Sequence, residues 1–484
     1  MTLKWKYFRS MIQFRAAIAL LEKNIRWLYL VYAIPMITLT ALITPPFQIP
    51  DEPNHFCRAE QVSRLEVLAR FHREGQRSVN TGDPRVLIPD KGGYLTDKGI
   101  EMANSFYLYI PFNAAAKVQA SQIALSKNIS WRTGMTDAPF PNTAIYPPSG
   151  YLVAALGISI GKALHRSVID TLYLSRWLNG LFCVLLCCYA LGLARSSRLL
   201  MFTVLLFPST VSLFASVSQD GTLISLAFLF AALVDHVESG EKKVYSPGQL
   251  AIMVGSIIAL SAAKPPYLLL SLVFFVLSCS RRTKIICFSI SVLATLSWML
   301  LNAGNYALAW APVELKVNAR LQLHYIFSHP FRYAGLFFRL NFSAIRDHLL
   351  WFVALSGWED TLFPAFFYKT ALLVWLGVIV STAHRPFRDR LRIRTGMILA
   401  ALLSLIAIMT ALYVTWAPLE SPVWGNMQSR YFIPLFPFLA LAITGFSNDR
   451  SPKSWQAPII ACAMLLPVLS HIVTILTLLN RYYL

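Results

Sequence analysis

From Trp27 to His55 the chain reads WLYLVYAIPMITLTALITPPFQIPDEPNH. The apolar run Trp27 to Thr44 approaches the roughly 20 residues that a membrane-spanning helix needs. Where that helix emerges, Pro50-Asp51-Glu52-Pro53-Asn54-His55 sets two carboxylates and an imidazole between prolines, at the head of a long polar loop. Lys4, Lys6, Arg9, Arg15, Lys23 and Arg26 precede the run, and no small-residue cleavage site follows it. The run therefore reads as a retained anchor behind a basic, cytoplasmic N-terminus over residues 1–26.

The rest of the chain is of the same kind. Its 484 residues are 56% hydrophobic and 14% charged, against roughly 25% charged in soluble domains. This composition specifies an all-α polytopic membrane protein. The net charge of +20 does not indicate a nucleic-acid partner, because much of it lies in short tracts between apolar runs, where it orients helices. The cysteines (Cys57, Cys183, Cys187, Cys188, Cys279, Cys287 and Cys462) show neither a disulfide framework nor zinc spacing, and only Cys57 falls in a polar loop.

Spans are expected at 27–44, 171–194, 198–217, 221–238, 247–263, 266–280, 285–303, 367–383, 395–415, 431–446 and 456–479, about 11 in all. Basic tracts at the N-terminus, Arg195/Arg198, Lys242/Lys243, Arg281 to Lys284, His384 to Arg394 and Arg450/Lys453 fit one side of the membrane. The N-terminus is then cytoplasmic and the C-terminus external. Tyr151 to Leu164 is apolar but short, and reads as an interfacial or half-buried helix, the alternative being that it crosses and a later short pair merges. Four regions follow: 1–26; a seven-helix module over 27–303 that includes the external loop 45–150; a second external loop over 304–366; and a four-helix region over 367–484. Asp51 to Gly75 and Val313 to Leu349 have helical character suited to amphipathic helices at the membrane surface.

Unusual groups collect on the external face. Asp51, His55 and Arg58, spaced by four and three, share a helical face. Tyr146-Pro147-Pro148-Ser149-Gly150-Tyr151 closes the first loop. Asp220 opens one span, and Lys264 with Tyr267 interrupts an over-long apolar run. Trp358-Glu359-Asp360 ends the second loop, and Gln428-Ser429-Arg430-Tyr431 opens another span. Each has a plain reading beside a functional one. Asp51 and Asp220 suit helix caps, Lys264 a snorkelling residue, and Arg430 and Trp358 interface anchors. One histidine beside two acids is a weak metal signature, so no metal and no cofactor are expected.

Taken together, acids and cations on one face suit transfer of a sugar from a lipid phosphate to a hydroxyl. A carboxylate, Asp51 or Glu52, would take the hydroxyl proton. Arg430 and Lys264 would meet the departing phosphate. Tyr146, Tyr151 and Trp358 would stack on sugar rings, with His55, Arg58, Asp220, Tyr267, Glu359, Asp360, Gln428 and Tyr431 lining the site.

These motifs resemble a family. Pro50-Asp51-Glu52-x-x-His55, the Tyr146 to Tyr151 closure, Lys264 with Tyr267, Gly357-Trp358-x-Asp360 and Gln428-x-Arg430-Tyr431-Phe432-x-Pro434 recur in this order. They look like a large group of bacterial integral membrane proteins of unassigned function, similar in layout to the GT-C glycosyltransferases. That resemblance implies a seven-helix module, a catalytic acid in the first external loop (Asp51, with Glu52 its rival), and a polyprenyl-phosphate sugar donor met by Arg430. It also implies inversion at the anomeric carbon. The serotype-converting O-antigen glucosyltransferases are similar in length and layout. Two positions depart from the pattern: Ser429 stands where glycine is usual, and Glu359 adds a second acid between Trp358 and Asp360.

The expectation is an inverting hexosyltransferase of the bacterial inner membrane. It would act on a surface glycan such as O-antigen or lipopolysaccharide, at the periplasmic face. Its partners would be the lipid-linked donor, the glycan acceptor and membrane lipid. The alternatives are a flippase or transporter of lipid-linked glycans, expected to carry ionisable residues at mid-span, and a polymerase or ligase, which shares the need for base and cations.

Overall fold

The computed structural model describes residues 24–74, 92–308, 316–383, 388, 390–421, 428–446 and 455–484. The expected basic residues from Lys4 to Lys23, and Arg450 and Lys453, lie outside the described residues, as do parts of the tract His384 to Arg394 and of the loops 45–150, 304–366 and 416–430.

The described chain is mainly helical and polytopic. Helix α1 is Ile25–Ile43 and α2 is Glu52–Ser63. Helices α3 (Leu152–Ala163), α4 (Val168–Leu193), α5 (Asp220–Glu238), α6 (Pro247–Ala263) and α7 (Arg281–Leu301) follow. After them come α8 (Ala319–Ser328), α9 (Pro330–Val353), α10 (Ala365–Thr382), α11 (Leu391–Trp416), α12 (Phe436–Thr444) and α13 (Gln456–Tyr482). Among the described residues, seven helices are long and apolar enough to cross a membrane: α1, α4, α5, α7, α10, α11 and α13. The other four expected spans are shorter or broken. Residues 198–217 form two short helices, Arg198–Leu205 and Pro208–Phe214, with Pro208 starting the second. Pro265–Val276 is a 3-10 run opened by two prolines. The segment at 431–446 begins in 3-10 turns at Pro434 before α12. Each break falls at a proline, which lacks the N–H of a regular helical turn, although Pro35 and Pro467 lie inside α1 and α13 without breaking them.

These elements join two ends of the bundle. At one end, Asp235 accepts from the backbone N–H groups of Arg195 (2.8 Å) and Ser197 (3.0 Å). There Arg390 lies 3.7 Å from Glu238, and Arg392 and Lys284 both donate to the Phe275 carbonyl. Helix α5 runs from this basic end to Asp220 at the other. Helix α6 likewise leads from Tyr245, bonded to Glu238 (3.1 Å), to Lys264 beside Asp220. The core between them is a single cluster of buried aliphatic and aromatic side chains.

Helix α3, apolar and short, packs along α4 through small residues. A Cβ on Gly157 would come within 2.7 Å of the Ser175 hydroxyl. Its opposite side shows Leu152 and Leu156, in keeping with the half-buried helix expected at 151–164.

The first loop departs from expectation twice. Helix α2 is no surface amphipath: Glu52, His55, Phe56, Arg58, Glu60 and Gln61 are all buried, because α3 and the strand Gly92–Asp97 cover it. The loop also carries a small antiparallel sheet that the all-α expectation lacks. Its strands are β1 (Phe71–Arg73), β2 (Gly92–Asp97) and β3 (Met135–Ala138), in the order β1-β2-β3. The register pairs Phe71 with Tyr94 and Leu95 with Asp137. In the second loop the helical stretch expected over Val313 to Leu349 is two helices, α8 and α9, separated at His329, and its first residues lie outside the described ones. Phe331, Phe338 and Phe342 are exposed on one side of α9, and Tyr333 bonds Thr410 of α11 on the other.

Candidate functional site

At the end opposite the basic tracts, four charged side chains from distant parts of the chain meet. Asp51 precedes α2 with a left-handed backbone (φ 58°) and makes no side-chain cap; only its carbonyl enters the helix, accepting from the His55 N–H. Prolines at 50 and 53 hold the turn. The carboxylate is therefore free to point outward, and it accepts from Arg430 at 2.6 Å and from Asn142 at 3.2 Å. Asn142 is itself held by Asn54 at 2.9 Å.

Arg430 is the hub. Its Nε donates to Gln428 (2.5 Å), its Nη2 to Asp51, and its Nη1 lies 3.4 Å from both the Pro50 carbonyl and Asp220. Burial opposes the guanidinium charge, and Tyr431, Asp220 and Asp51 more than offset that opposition. Asp220 does not serve as a cap. It accepts from Lys264 at 2.5 Å and from the Ser218 hydroxyl at 3.2 Å. Lys264 does not snorkel to solvent; its ammonium also lies 4.1 Å above the Tyr431 ring. The Tyr267 hydroxyl donates to the Tyr431 backbone carbonyl at 2.8 Å and so holds the chain at that residue.

A second layer backs the cluster. His55 bonds the Tyr151 hydroxyl at 2.6 Å, approaches Ser218 at 3.4 Å and stacks on Tyr146 with ring centroids 6.0 Å apart. Burial pushes its pKa down to about 4, against the pull of Asp220 and Asp51, so the imidazole is neutral. Glu359, half-buried at a left-handed turn (φ 63°), is pushed up to about 7 chiefly by loss of water, against the pull of Arg430.

Part of this cluster, Asp51, Lys264 and Arg430 with Tyr431, lines a cavity of about 400 Å³, which Asp220, His55 and Glu359 do not line. Asp51, Asn142, Tyr146, Lys264, Gln428, Arg430 and Tyr431 form the polar side. Ile408, Ala411, Leu412, Thr415 and Trp416 of the spanning helix α11, with Pro265 and Pro266, form the apolar one. One space thus joins paired acids and cations to the flank of a membrane helix.

Other expected site residues lie elsewhere. Glu52 is fully buried and turned from the cavity. Arg176 of α4 grips it with two nitrogens, at 2.8 and 2.5 Å, while also donating to the carbonyls of Ala41, Thr44 and Pro45. Arg58 is consumed by the carbonyls of Tyr146, Glu66 and Val67. Asp360 pairs with Arg481 at 2.9 Å and accepts from the Phe112 N–H. Trp358 donates to the Phe47 carbonyl at 2.9 Å rather than offering itself as a belt residue. Tyr151 and Tyr267 are buried supports. Asn142, Ser218 and Arg176 were not expected. Arg176 carried a signal, a lone arginine inside an apolar span; Asn142 carried none.

No curated protein and no solved structure matches the chain. A family model described as predicted membrane protein (DUF2142) matches residues 36–439, a stretch that takes in Asp51, Asp220, Lys264 and Arg430. The chain is a multi-pass membrane protein that belongs to the DUF2142 family.

Proposed function

We propose that this protein is an inverting glycosyltransferase of the GT-C type, moving a sugar from a polyprenyl phosphate to a hydroxyl of a surface glycan. The observation that carries this reading is that the Asp51–Arg430 pair lines the same cavity as apolar residues of the spanning helix α11. A prenyl chain lies against that flank, and its phosphate meets Arg430 and Lys264. The acceptor oxygen attacks the anomeric carbon while the bond from that carbon to the phosphate oxygen breaks. Asp51 takes the hydroxyl proton, and the lipid phosphate leaves with the bonding electrons, stabilised by the two cations.

Asp51 rather than Glu52 is the base in this reading, because Glu52 has no path to the cavity. The chain makes eleven traverses in this reading, the shorter proline-broken segments included. The basic end faces the cytoplasm of a bacterial inner membrane, and the site faces the periplasm. The charges of the cluster lie at the ends of α5 and α6 rather than at mid-span, which favours a transferase over a flippase.

Glycan from cells that carry Asp51→Asn in place of the natural chain tests this reading. Loss of a glycan substituent with normal protein level and insertion is the expected result. Retention of every substituent by Asp51→Asn would remove the base from the scheme.

A further inference from the structure

Arg430 has no nitrogen to spare. Nε is held by Gln428, Nη2 by Asp51, and Nη1 faces Asp220 and the Pro50 carbonyl. A phosphate that engages either edge of this guanidinium with two hydrogen bonds must therefore displace a resident partner, because the side edge needs the Nε–H held by Gln428 and the end edge needs the Nη1 that faces Asp220 and Pro50. The partners are unequal. Asp220 is buried and tied to Lys264 and Ser218. Gln428 is neutral. Asp51 is the one charged partner on the cavity wall, its side chain 28% exposed.

We infer that Asp51 is the resident anion of the Arg430 phosphate site, so that donor binding and release of the base are a single exchange. This rests on the transferase reading above and adds an order to it. While the donor is absent, Oδ2 of Asp51 is occupied by a guanidinium N–H. When a lipid phosphate takes that N–H, the Oδ2 lone pair turns free to accept the acceptor's proton. Asn142 keeps its hold on Oδ1, so the carboxylate stays beside the cavity. Donor binds first. In the empty site the carboxylate stays paired with Arg430. When the lipid phosphate departs, the pair re-forms. Carboxylate and phosphate both suit the guanidinium fork, which makes the exchange chemically even-handed.

The test is a titration at pH 8, where Glu359 is ionised, of the full-length protein in nanodiscs with a fluorescent short-chain polyprenyl phosphate. Wild type is compared with Asp51→Asn, Asp51→Ala and Glu359→Gln. Glu359→Gln removes a neighbouring carboxyl that forms no hydrogen bond to Arg430. The expected result is binding about tenfold tighter in both Asp51 variants, a difference of about 1.4 kcal/mol, with Glu359→Gln close to wild type. Equal affinity in wild type and both Asp51 variants would overturn the exchange, and so would equal tightening in Glu359→Gln, which would make the effect one of charge alone. Sugar transfer by wild type alongside either of those results would leave the transferase reading standing. Failure of every form to bind the probe would sink both readings.

Discussion

Replacing Glu52 by glutamine separates the two adjacent acids. Glu52 and Arg176 are both fully buried, and two short charge-assisted bonds join them. Breaking such a pair by removing one partner typically costs about 3–5 kcal/mol, since the other charge is left buried and uncompensated. Arg176 would keep its three carbonyl partners at 41, 44 and 45, so the lower part of that range is expected. The damage would loosen the junction between α1, the turn before α2, and α4. The assay is thermal unfolding of purified protein in detergent, followed by intrinsic fluorescence, with Arg176→Met and the double variant completing a cycle. The double variant should recover about 1–3 kcal/mol relative to the sum of the singles. A Glu52→Gln protein that melts with wild type, or strictly additive singles, would refute the claim that this pair holds the junction.

The remaining predictions concern pH and packing. Glu359 holds its proton more tightly in the folded site than in the unfolded chain. Its contribution to stability is therefore present below about 4.5 and lost as pH rises through about 7; Glu359→Gln should melt above wild type at pH 8 and with it at pH 5. His55 has the opposite sign: its contribution is present above 6.5 and lost as pH falls towards about 4, so His55→Gln should blunt acid destabilisation across that window. Gly157→Ala forces a methyl against Ser175 of α4 and should cost about 1–3 kcal/mol, read as a lower melting temperature; an unchanged value would mean that α3 and α4 are not packed as described.

Much of the architecture was legible because it rests on local signals. Apolar runs marked all seven long helices, and the charged tracts sorted their ends. Where prolines fell inside an apolar run, at Pro208, Pro265, Pro266 and Pro434, composition alone saw a span and the backbone makes something shorter. The strands Phe71–Arg73 and Met135–Ala138 are too short and polar for any alternation to show. The site was legible as chemistry but not as pairing. Asp51, Asp220, Lys264 and Arg430 are unusual wherever they stand at helix ends, yet the bond from Arg430 to Asp51 closes only through tertiary packing across the whole bundle. Glu52 shows the limit most plainly. Nothing in Pro50-Asp51-Glu52-Pro53 says which acid faces the cavity; the answer depends on Arg176, more than a hundred residues away.

The central claim is that Asp51 is the base of a sugar transfer from a lipid phosphate. The most direct measurement is transfer by purified protein in nanodiscs, supplied with radiolabelled polyprenyl-phosphate monosaccharides and surface-glycan acceptors, with Asp51→Asn and Glu52→Gln proteins alongside. Wild type should transfer from at least one donor, Asp51→Asn should fall by roughly 10²–10⁴ in rate, and the folded fraction of Glu52→Gln should retain activity. Transfer by Asp51→Asn at the wild-type rate, or no transfer from any donor by folded wild-type protein, would contradict the claim.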